Sequence, residues 1–280
     1  MQHDLNLTSA GFKAMAARSL AEDQYANGYR PRRLLSQANT KLMKADWNIG
    51  LSLAPALTSG YQVCASASPE CMTHCIHTSG FAAPNFHGPN VPCNPVWVAR
   101  ILKTIWLFRD RRGFLEKLYK DIALNREASI RLNVFSDWMW ERQSVIITPD
   151  LADHYGTRPG TFSSLMEVFP ETQFYDYTKH HARMFRPRPA NYHLTFSLME
   201  TNEVQARGVL RAGMNVAAVT TSKTGYLLGY PVIDGDINDL RFLDPQGVIV
   251  GLKPKGSLWR SQSEFKNVPT ELQWALPDAA

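Results

Sequence analysis

Short apolar runs alternate with helix-length stretches along most of this 280-residue chain. The runs are rich in Val, Ile, Phe and Tyr, which predicts strands. They lie at residues 47–56, 128–137, 173–179, 191–198, 214–221 and 247–255. Strands separated by helix-length stretches are typical of βα units with a mainly parallel sheet. We therefore predict an α/β fold, an incomplete (β/α)6 TIM-like barrel, because polar side chains cluster at the strand ends, where such barrels carry function.

Capping signals predict where the helices begin and end. Asn94 is an N-cap candidate with Pro95 at the first helical position, and apolar residues recur at the helix period after it. We expect Gly113 to break this long stretch into two helices. Gly213 is a candidate for the end of the helix over 202–213.

The same pattern divides the chain into three parts. Residues 1–35 are predicted to form a polar, helical N-terminal arm. Residues 36–257 form the barrel-like domain, with a Cys-rich loop at 64–93 after the first strand. Residues 258–280 form a C-terminal tail.

Charge and composition narrow the classes of partner. The formal net charge is +5, and basic residues concentrate around 30–33, 109–112 and 179–188. Such a balance suits phosphate-bearing partners, although it is also ordinary for solvated surfaces. The sequence has no run of about 18 apolar residues, which predicts no membrane-spanning helix, and no apolar secretory signal at its start. We therefore expect a cytoplasmic protein.

All four cysteines fall in one loop, with the spacing C-x6-C-x3-C-x17-C. They are Cys64, Cys71, Cys75 and Cys93. Thiols stay reduced in the cytoplasm, which favours metal binding over disulfides. A [4Fe–4S] cluster is the first hypothesis, because such clusters take several thiolates from one loop. Zinc with nitrogen ligands from the nearby histidines is the alternative, and unliganded thiols are the third. Those histidines are His74, His77 and His87.

Three of these cysteines directly follow the first predicted strand. This placement resembles the cluster loop of radical S-adenosylmethionine enzymes. The spacing departs from the usual C-x3-C-x2-C of that superfamily, and its Gly-Gly-Glu motif after the second strand is absent. A fourth ligand from Cys93 would fill the iron position that S-adenosylmethionine needs. If Cys93 is free, one iron stays open for chemistry.

Polar residues also follow the second and third predicted strands. They include Arg131, Asn133, Ser136 and Asp137, and then Asp176, Tyr177 and Lys179. Charges in an apolar core are costly unless they are paired. Two explanations are therefore open, a structural pair such as Arg131 with Asp176 or a polar cavity that holds a ligand. A barrel-strand lysine can also form a Schiff base, although nothing distinguishes Lys179 from an anion-binding lysine.

An acidic segment, DGDINDLRFLDP, loosely resembles a calcium-binding loop. It lacks the glycine and the terminal glutamate that a helix–loop–helix site needs. We expect a polar turn whose acidic side chains cap and pair.

Six segments of the sequence, taken in their order along the chain, resemble a known protein family. They are NTKLMKAD (39–46), VCASASPECMTHCIHTSG (63–80), RLNVFSDWMWE (131–141), FYDYTK (174–179), NYHLTFSLMET (191–201) and DGDINDLRFLDPQGVIVGLKPKG (234–256). Together they resemble the bacteriophage gene-product-88 family over about residues 36–257. The resemblance implies a phage or mobile-element setting and a role in the cytoplasm of the infected cell. It implies no particular reaction.

The first functional hypothesis is an iron–sulfur enzyme, similar to radical S-adenosylmethionine enzymes, that acts on a nucleotide or nucleic acid. Its metal ligands would be the four cysteines. Its catalytic residues would be Lys179, Asp176 and Asp137, and its cofactor-binding residues Arg131, Asn133, Ser136 and Tyr177. S-adenosylmethionine would be the further cofactor.

Two other hypotheses stay open. One is a non-catalytic, metal-stabilised protein that engages a host protein or nucleic acid. The other is a metal-free enzyme that uses Lys179 or the pair His180 and His181 for acid–base chemistry.

Overall fold

A computed structural model describes residues 9–37, 42–44, 47–84, 86–88, 91–263 and 266–267. The helices are α1 (Ser9–Ala26), α2 (Pro69–Thr73), α3 (Pro95–Arg109), α4 (Arg111–Ala123), α5 (Pro149–Tyr155), α6 (Leu165–Val168), α7 (His181–Met184) and α8 (Glu203–Arg211). The strands are β1 (Leu35–Ser36), β2 (Asn48–Leu51), β3 (Ser129–Arg131), β4 (Val145–Ile147), β5 (Gly160–Phe162), β6 (Phe174–Thr178), β7 (Tyr192–Ser197), β8 (Val216–Val219), β9 (Tyr226–Leu227), β10 (Tyr230–Asp234) and β11 (Ile249–Leu252).

Nine of the described strands form one open, mixed sheet in the order β1-β2-β3-β6-β7-β8-β11-β10-β9. Between β2 and β10 in this spatial order, every pair of neighbouring strands is parallel. At the two edges β1 and β9 pair antiparallel with their neighbours. The predicted incomplete barrel is therefore wrong, because short antiparallel strands end the sheet on both sides and it does not close. Apolar runs look alike in open and closed parallel sheets, so the sequence pattern does not separate the two.

Each of the six predicted strand segments contains one observed strand of the large sheet, namely β2, β3, β6, β7, β8 and β11. The pattern misses the other strands for physical reasons. β1 and β9 are two residues long, too short for any periodicity. β10 contains Pro231, a residue that normally argues against a strand inside a sheet.

α3 begins where the capping signal predicts. The Asn94 side chain accepts a hydrogen bond from the backbone N–H of Val96 at 2.9 Å, and Pro95 is the first helical residue. The break that follows lies at Asp110 and not at Gly113. The Asp110 carboxylate accepts a hydrogen bond from the Gly113 N–H at 2.9 Å and so caps α4. A Cβ at position 113 would collide with that carboxylate, so glycine permits the cap.

The N-terminal helix α1 packs against α3. Ala17 and Ala21 are fully buried in a cluster with Ile101 and Ile105. No helix in the described ranges is long and apolar enough to cross a membrane.

The two faces of the sheet have different surroundings. On one face, strand residues such as Ile130 and Phe174 join the main apolar core with side chains from the helices. On the other face lie Tyr175 and Tyr177, which contact the segment around the short 3₁₀ helix Arg241–Leu243. The carboxyl ends of the parallel strands lie side by side along one end of the sheet, which we call the carboxyl edge. The predicted site residues lie there.

Candidate functional site

Arg183 neutralises much of the negative charge at this edge. Its buried guanidinium donates to both oxygens of Glu141 at 2.9 and 2.8 Å. It also donates to Asp137 at 2.7 Å and to the Tyr192 hydroxyl at 3.0 Å. Asp137 in turn accepts a hydrogen bond from the Lys179 backbone N–H at 2.8 Å. Asp137 therefore joins α7, β6 and the loop after β3 through paired contacts.

Asp176 belongs to the same network and is fully buried. Its carboxylate accepts hydrogen bonds from the backbone N–H of Asn133 at 2.6 Å and from the Tyr192 hydroxyl at 2.8 Å. Burial raises the pKa of Asp176 to about 7, although Arg131 and these hydrogen bonds oppose the rise. The Asn133 side-chain oxygen accepts a hydrogen bond from the Ser136 hydroxyl at 2.7 Å. These contacts fix the loop that leaves β3.

Arg131 lies on the opposite face of the sheet and does not pair with Asp176. Its Nη1 lies 2.9 Å from Asp239 Oδ2, and its guanidinium carbon lies 4.4 Å from the centre of the Tyr177 ring. The hydroxyls of Tyr175 and Tyr177 donate to the same carboxylate at 3.1 and 3.2 Å. Alternate strand positions face opposite sides, which separates Arg131 and Tyr177 from Asp176.

The acidic segment forms the expected turn of paired side chains. Asp239 pairs with Arg131, while Asp234 and Asp236 each lie 2.8 Å from the Lys223 ammonium.

Three cysteines and Lys179 form a third group at the carboxyl edge, here called the thiol site. Cys64, Cys71 and Cys75 are all half-buried. Burial alone lowers the pKa of Lys179, but the nearby Cys71, Asp137, Cys64 and Cys75 outweigh it and raise that pKa. Within the residues that the structure describes, no hydrogen bond or ion pair engages the Lys179 ammonium. The thiol site thus differs from the two paired networks beside it.

Burial favours the protonated form of two thiols of this site, those of Cys64 and Cys75. Burial raises the pKa of Cys64 to about 11, although the Ala56 N–H donates to its Sγ at 3.4 Å. Burial also raises the pKa of Cys75, while Lys179 and Arg100 act against the rise. Metal ligation requires thiolates, so loading a metal here would release protons, and the two cations would then balance the charge.

Arg100 is the second cation of the thiol site. Burial lowers its pKa to about 10, and its guanidinium carbon lies 3.9 Å from the centre of the Phe135 ring. Its Nη1 donates to the His77 carbonyl at 2.8 Å, while its buried Nε has no hydrogen-bond partner among the described residues.

Strand-end residues hold the cysteine helix over the sheet edge. Glu200, which follows β7, accepts hydrogen bonds from the Ser68 hydroxyl at 2.8 Å and from the Glu70 N–H at 3.4 Å. The Ser68 oxygen caps α2 by accepting from the Cys71 N–H at 3.2 Å. At the other end of α2, His74 Nδ1 lies 2.9 Å from the Ser257 hydroxyl. These contacts fix α2, the helix that carries Cys71.

Cys93 and Cys64 belong to different apolar clusters. Cys93 is buried in the apolar cluster that contains Ala82, Trp97 and Ile101. Of the four predicted metal ligands, Cys64, Cys71 and Cys75 each influence the pKa of Lys179, whereas Cys93 is buried in this apolar cluster. His77, a candidate zinc ligand, packs near Trp97 with ring centroids 5.9 Å apart.

The thiol site fits a metal cluster in the chemistry of its donors. Cys thiolates are the usual ligands of iron–sulfur clusters, and Lys179 and Arg100 would offset the charge of three thiolates here. Throughout the described residues, however, no three His, Cys, Asp or Glu side chains stand close enough to hold a metal ion. Binding would require the three sulfurs to draw closer together.

Sequence reasoning missed several residues that build this edge. They are Arg183, Arg100 and Glu141. Arg183 lies in the basic stretch that the sequence assigns to solvated faces or phosphate partners. Its partners Glu141 and Asp137 are 42 and 46 residues away, and local patterns carry no signal over such distances.

Comparison with known families supports the resemblance seen in the sequence. The profile of the family Gene product 88 matches residues 33–268. The chain therefore belongs to the gene-product-88 family, a family of bacteriophage type. No curated protein and no solved structure matches the chain.

Proposed function

We propose that this chain is an iron–sulfur protein in which Cys64, Cys71 and Cys75 hold one [4Fe–4S] cluster. The proposal depends mainly on the joining of the cysteine loop to Lys179 by Asp137, whose N–H donates to the Val63 carbonyl and whose carboxylate accepts from the Lys179 N–H, both at 2.8 Å. Three half-buried thiols of this loop all act to raise the pKa of Lys179, whose ammonium has no oxygen partner among the described residues. In this proposal Cys93 is not a ligand, since it is buried in a separate apolar cluster. Three thiolates leave one iron of a cubane cluster without a protein ligand.

An open iron position favours a catalytic role. When bound, such a cluster supplies one-electron chemistry, and S-adenosylmethionine is the co-substrate that we propose for the open position. Lys179 and Arg100 balance the negative charge of the thiolates. The Asp137 carboxylate positions Lys179 by accepting a hydrogen bond from the Lys179 backbone N–H at 2.8 Å. Asp137 and Asp176 are both engaged by other groups of the protein. We therefore propose that they position neighbouring residues and do not react themselves.

The proposed substrate is a nucleotide or nucleic acid, in the cytoplasm of a phage-infected cell. The net charge of +5 and the membership of a bacteriophage-type family support this choice.

Metal and sulfide analysis tests the proposal. The protein should be made with added iron and purified without oxygen. We expect about four iron and four sulfide per chain, and a brown protein that absorbs near about 400 nm. A colourless protein with stoichiometric zinc, or with no metal, would contradict the proposal.

A non-catalytic binding protein is the second candidate. It is favoured by the internal pairing of Arg131, Asp137 and Asp176, which leaves these residues engaged with the protein itself. Consumption of S-adenosylmethionine by the reduced, cluster-loaded protein separates the two candidates. Turnover supports the enzyme, whereas an intact cluster without turnover supports the binding protein.

A further inference from the structure

A groove of about 750 Å³ lies at the amino ends of the parallel strands, opposite to the carboxyl ends where the thiol site lies. Its volume is in the range of small-molecule sites, about 300–1,000 Å³. The turn 184–190, which connects α7 to β7, forms much of its wall. Gln173 and His193, at the amino ends of β6 and β7, and Phe242 complete it.

The charge of the groove lining has one sign. Arg186 and Arg188 contribute to it, and no Asp or Glu lies among the residues that line the groove in the described part of the chain. Arg186 is exposed. Arg188 is fixed because its Nη1 donates to the carbonyls of Arg183 at 3.3 Å and Met184 at 3.1 Å. Two arginines without a lining carboxylate attract an anion, and the planar guanidinium matches phosphate in particular.

Aromatic side chains lie beside these arginines. Phe185 is 52% exposed, and Phe242 is held by Tyr175 with ring centroids 5.7 Å apart. An exposed ring next to arginines is the arrangement on which nucleic-acid bases stack. His193 adds a polar group, with its Nε2 3.3 Å from the Thr195 hydroxyl. Burial, with Arg188 and Arg241, lowers the pKa of His193 to about 4, so its imidazole is neutral near pH 7.

We propose that this groove binds a nucleoside phosphate, either a free nucleotide or one unit of a single-stranded nucleic acid. Arg186 and Arg188 bind the phosphate, and the base packs against the exposed ring of Phe185. The groove lies at the amino ends of the strands and the thiol site at the carboxyl ends, so the groove is a docking site and not the reaction centre. The groove would bind the class of substrate that we propose for the whole protein. Binding in the groove does not require a metal.

Binding of two probes to the full-length protein tests this inference. ATP, followed by calorimetry, represents the free nucleotide. A fluorescein-labelled oligothymidylate of about 12 nucleotides, followed by anisotropy, represents the strand. Binding of ATP identifies the free nucleotide as a ligand, and binding of the oligonucleotide alone identifies the strand.

Variants locate the bound probe. Arg186→Gln should weaken binding at least about tenfold, because it removes a charge-assisted contact. Phe185→Ala should weaken it about five- to tenfold through lost stacking. Arg112→Gln is the matched control, since Arg112 is also exposed but lies on α4 outside the groove lining, and its affinity should stay within about twofold.

Three results would overturn the inference. Neither probe binds, or the groove variants bind as tightly as the unaltered protein, or Arg112→Gln weakens binding as much as Arg186→Gln. The last result would mean diffuse surface charge. Because the experiment uses protein without iron, its outcome is independent of the metal analysis that tests the proposed function.

Discussion

Two neighbouring groups of residues at the carboxyl edge of the sheet differ in how completely their charged side chains are paired. In the Arg183 network, Asp137, Glu141 and the Tyr192 hydroxyl each contact the guanidinium within 3.0 Å. In the thiol site, half-buried thiols and Asp137 act on the Lys179 ammonium, which has no hydrogen bond or ion pair among the described residues. Proteins retain incompletely paired, partly buried groups mainly where function needs them. We therefore expect the first group to contribute mainly to stability, and we propose a function for the second.

The largest expected effect is the loss of the Arg183 side chain. Arg183→Met would leave the carboxylates of Asp137 and Glu141 without their cation. Breaking a buried ion pair in this way typically costs about 3–5 kcal/mol of unfolding free energy. Urea unfolding measures it. The exposed Arg186→Met is the control, and we expect a change within about 0.5 kcal/mol. A loss below about 1 kcal/mol in Arg183→Met would remove the distinction between the two groups.

Asp176 should give the paired network a characteristic pH dependence. Its pKa rises on folding from the ordinary value of 3.8 to about 7. The folded state therefore holds a proton that the unfolded chain releases, and this contribution to stability, present below about pH 4, is lost as the pH rises to about 7. The loss is at most about 4 kcal/mol.

Asp176→Asn tests this dependence because the amide does not ionise. The unfolding free energy of the unaltered protein, minus that of the variant, should fall between pH 4 and pH 7. Taking the difference removes the opposing contributions of His77 and His193, whose pKa values burial lowers. A difference that is flat across this window would show that Asp176 ionises normally.

The smallest effect on stability is expected in the thiol site. Lys179→Met should change the unfolding free energy by less than about 1 kcal/mol, because the ammonium has no direct ion pair among the described residues. It should instead slow alkylation of Cys64 and Cys75 by iodoacetamide severalfold near neutral pH, since Lys179 lowers the pKa of both thiols. Mass spectrometry resolves the individual sites. Unchanged alkylation together with a large loss of stability would place Lys179 with the paired network.

The sequence predicted local features well and long-range ones poorly. The Asn94 cap and the six main strands follow from capping chemistry and apolar runs, and the structure has both. The open sheet was missed because closure depends on which strands meet at the edges. The break of the helix at Asp110 was missed because its cause is a side-chain cap.

The candidate site shows the same division. Clustering of the cysteines in the sequence predicted a metal site, and three of them influence the pKa of Lys179, but in the described residues no three ligand side chains stand close enough to hold a metal ion. Cys93 is buried in the apolar cluster that contains Trp97 and Ile101, a placement that its position in the loop does not predict. The partner of Arg131 was also unpredictable, since Asp239 lies 108 residues away. Pairing over such distances depends on the tertiary fold.

The central claim, that the thiol site is the functional centre, is tested most directly by the iron content of four cysteine variants. Cys64→Ser, Cys71→Ser, Cys75→Ser and the control Cys93→Ala should be loaded and purified together without oxygen. We expect Cys93→Ala to keep about four iron per chain and each of the other three to lose most of it. Equal loss in Cys93→Ala, or iron retained in all four, would contradict the account.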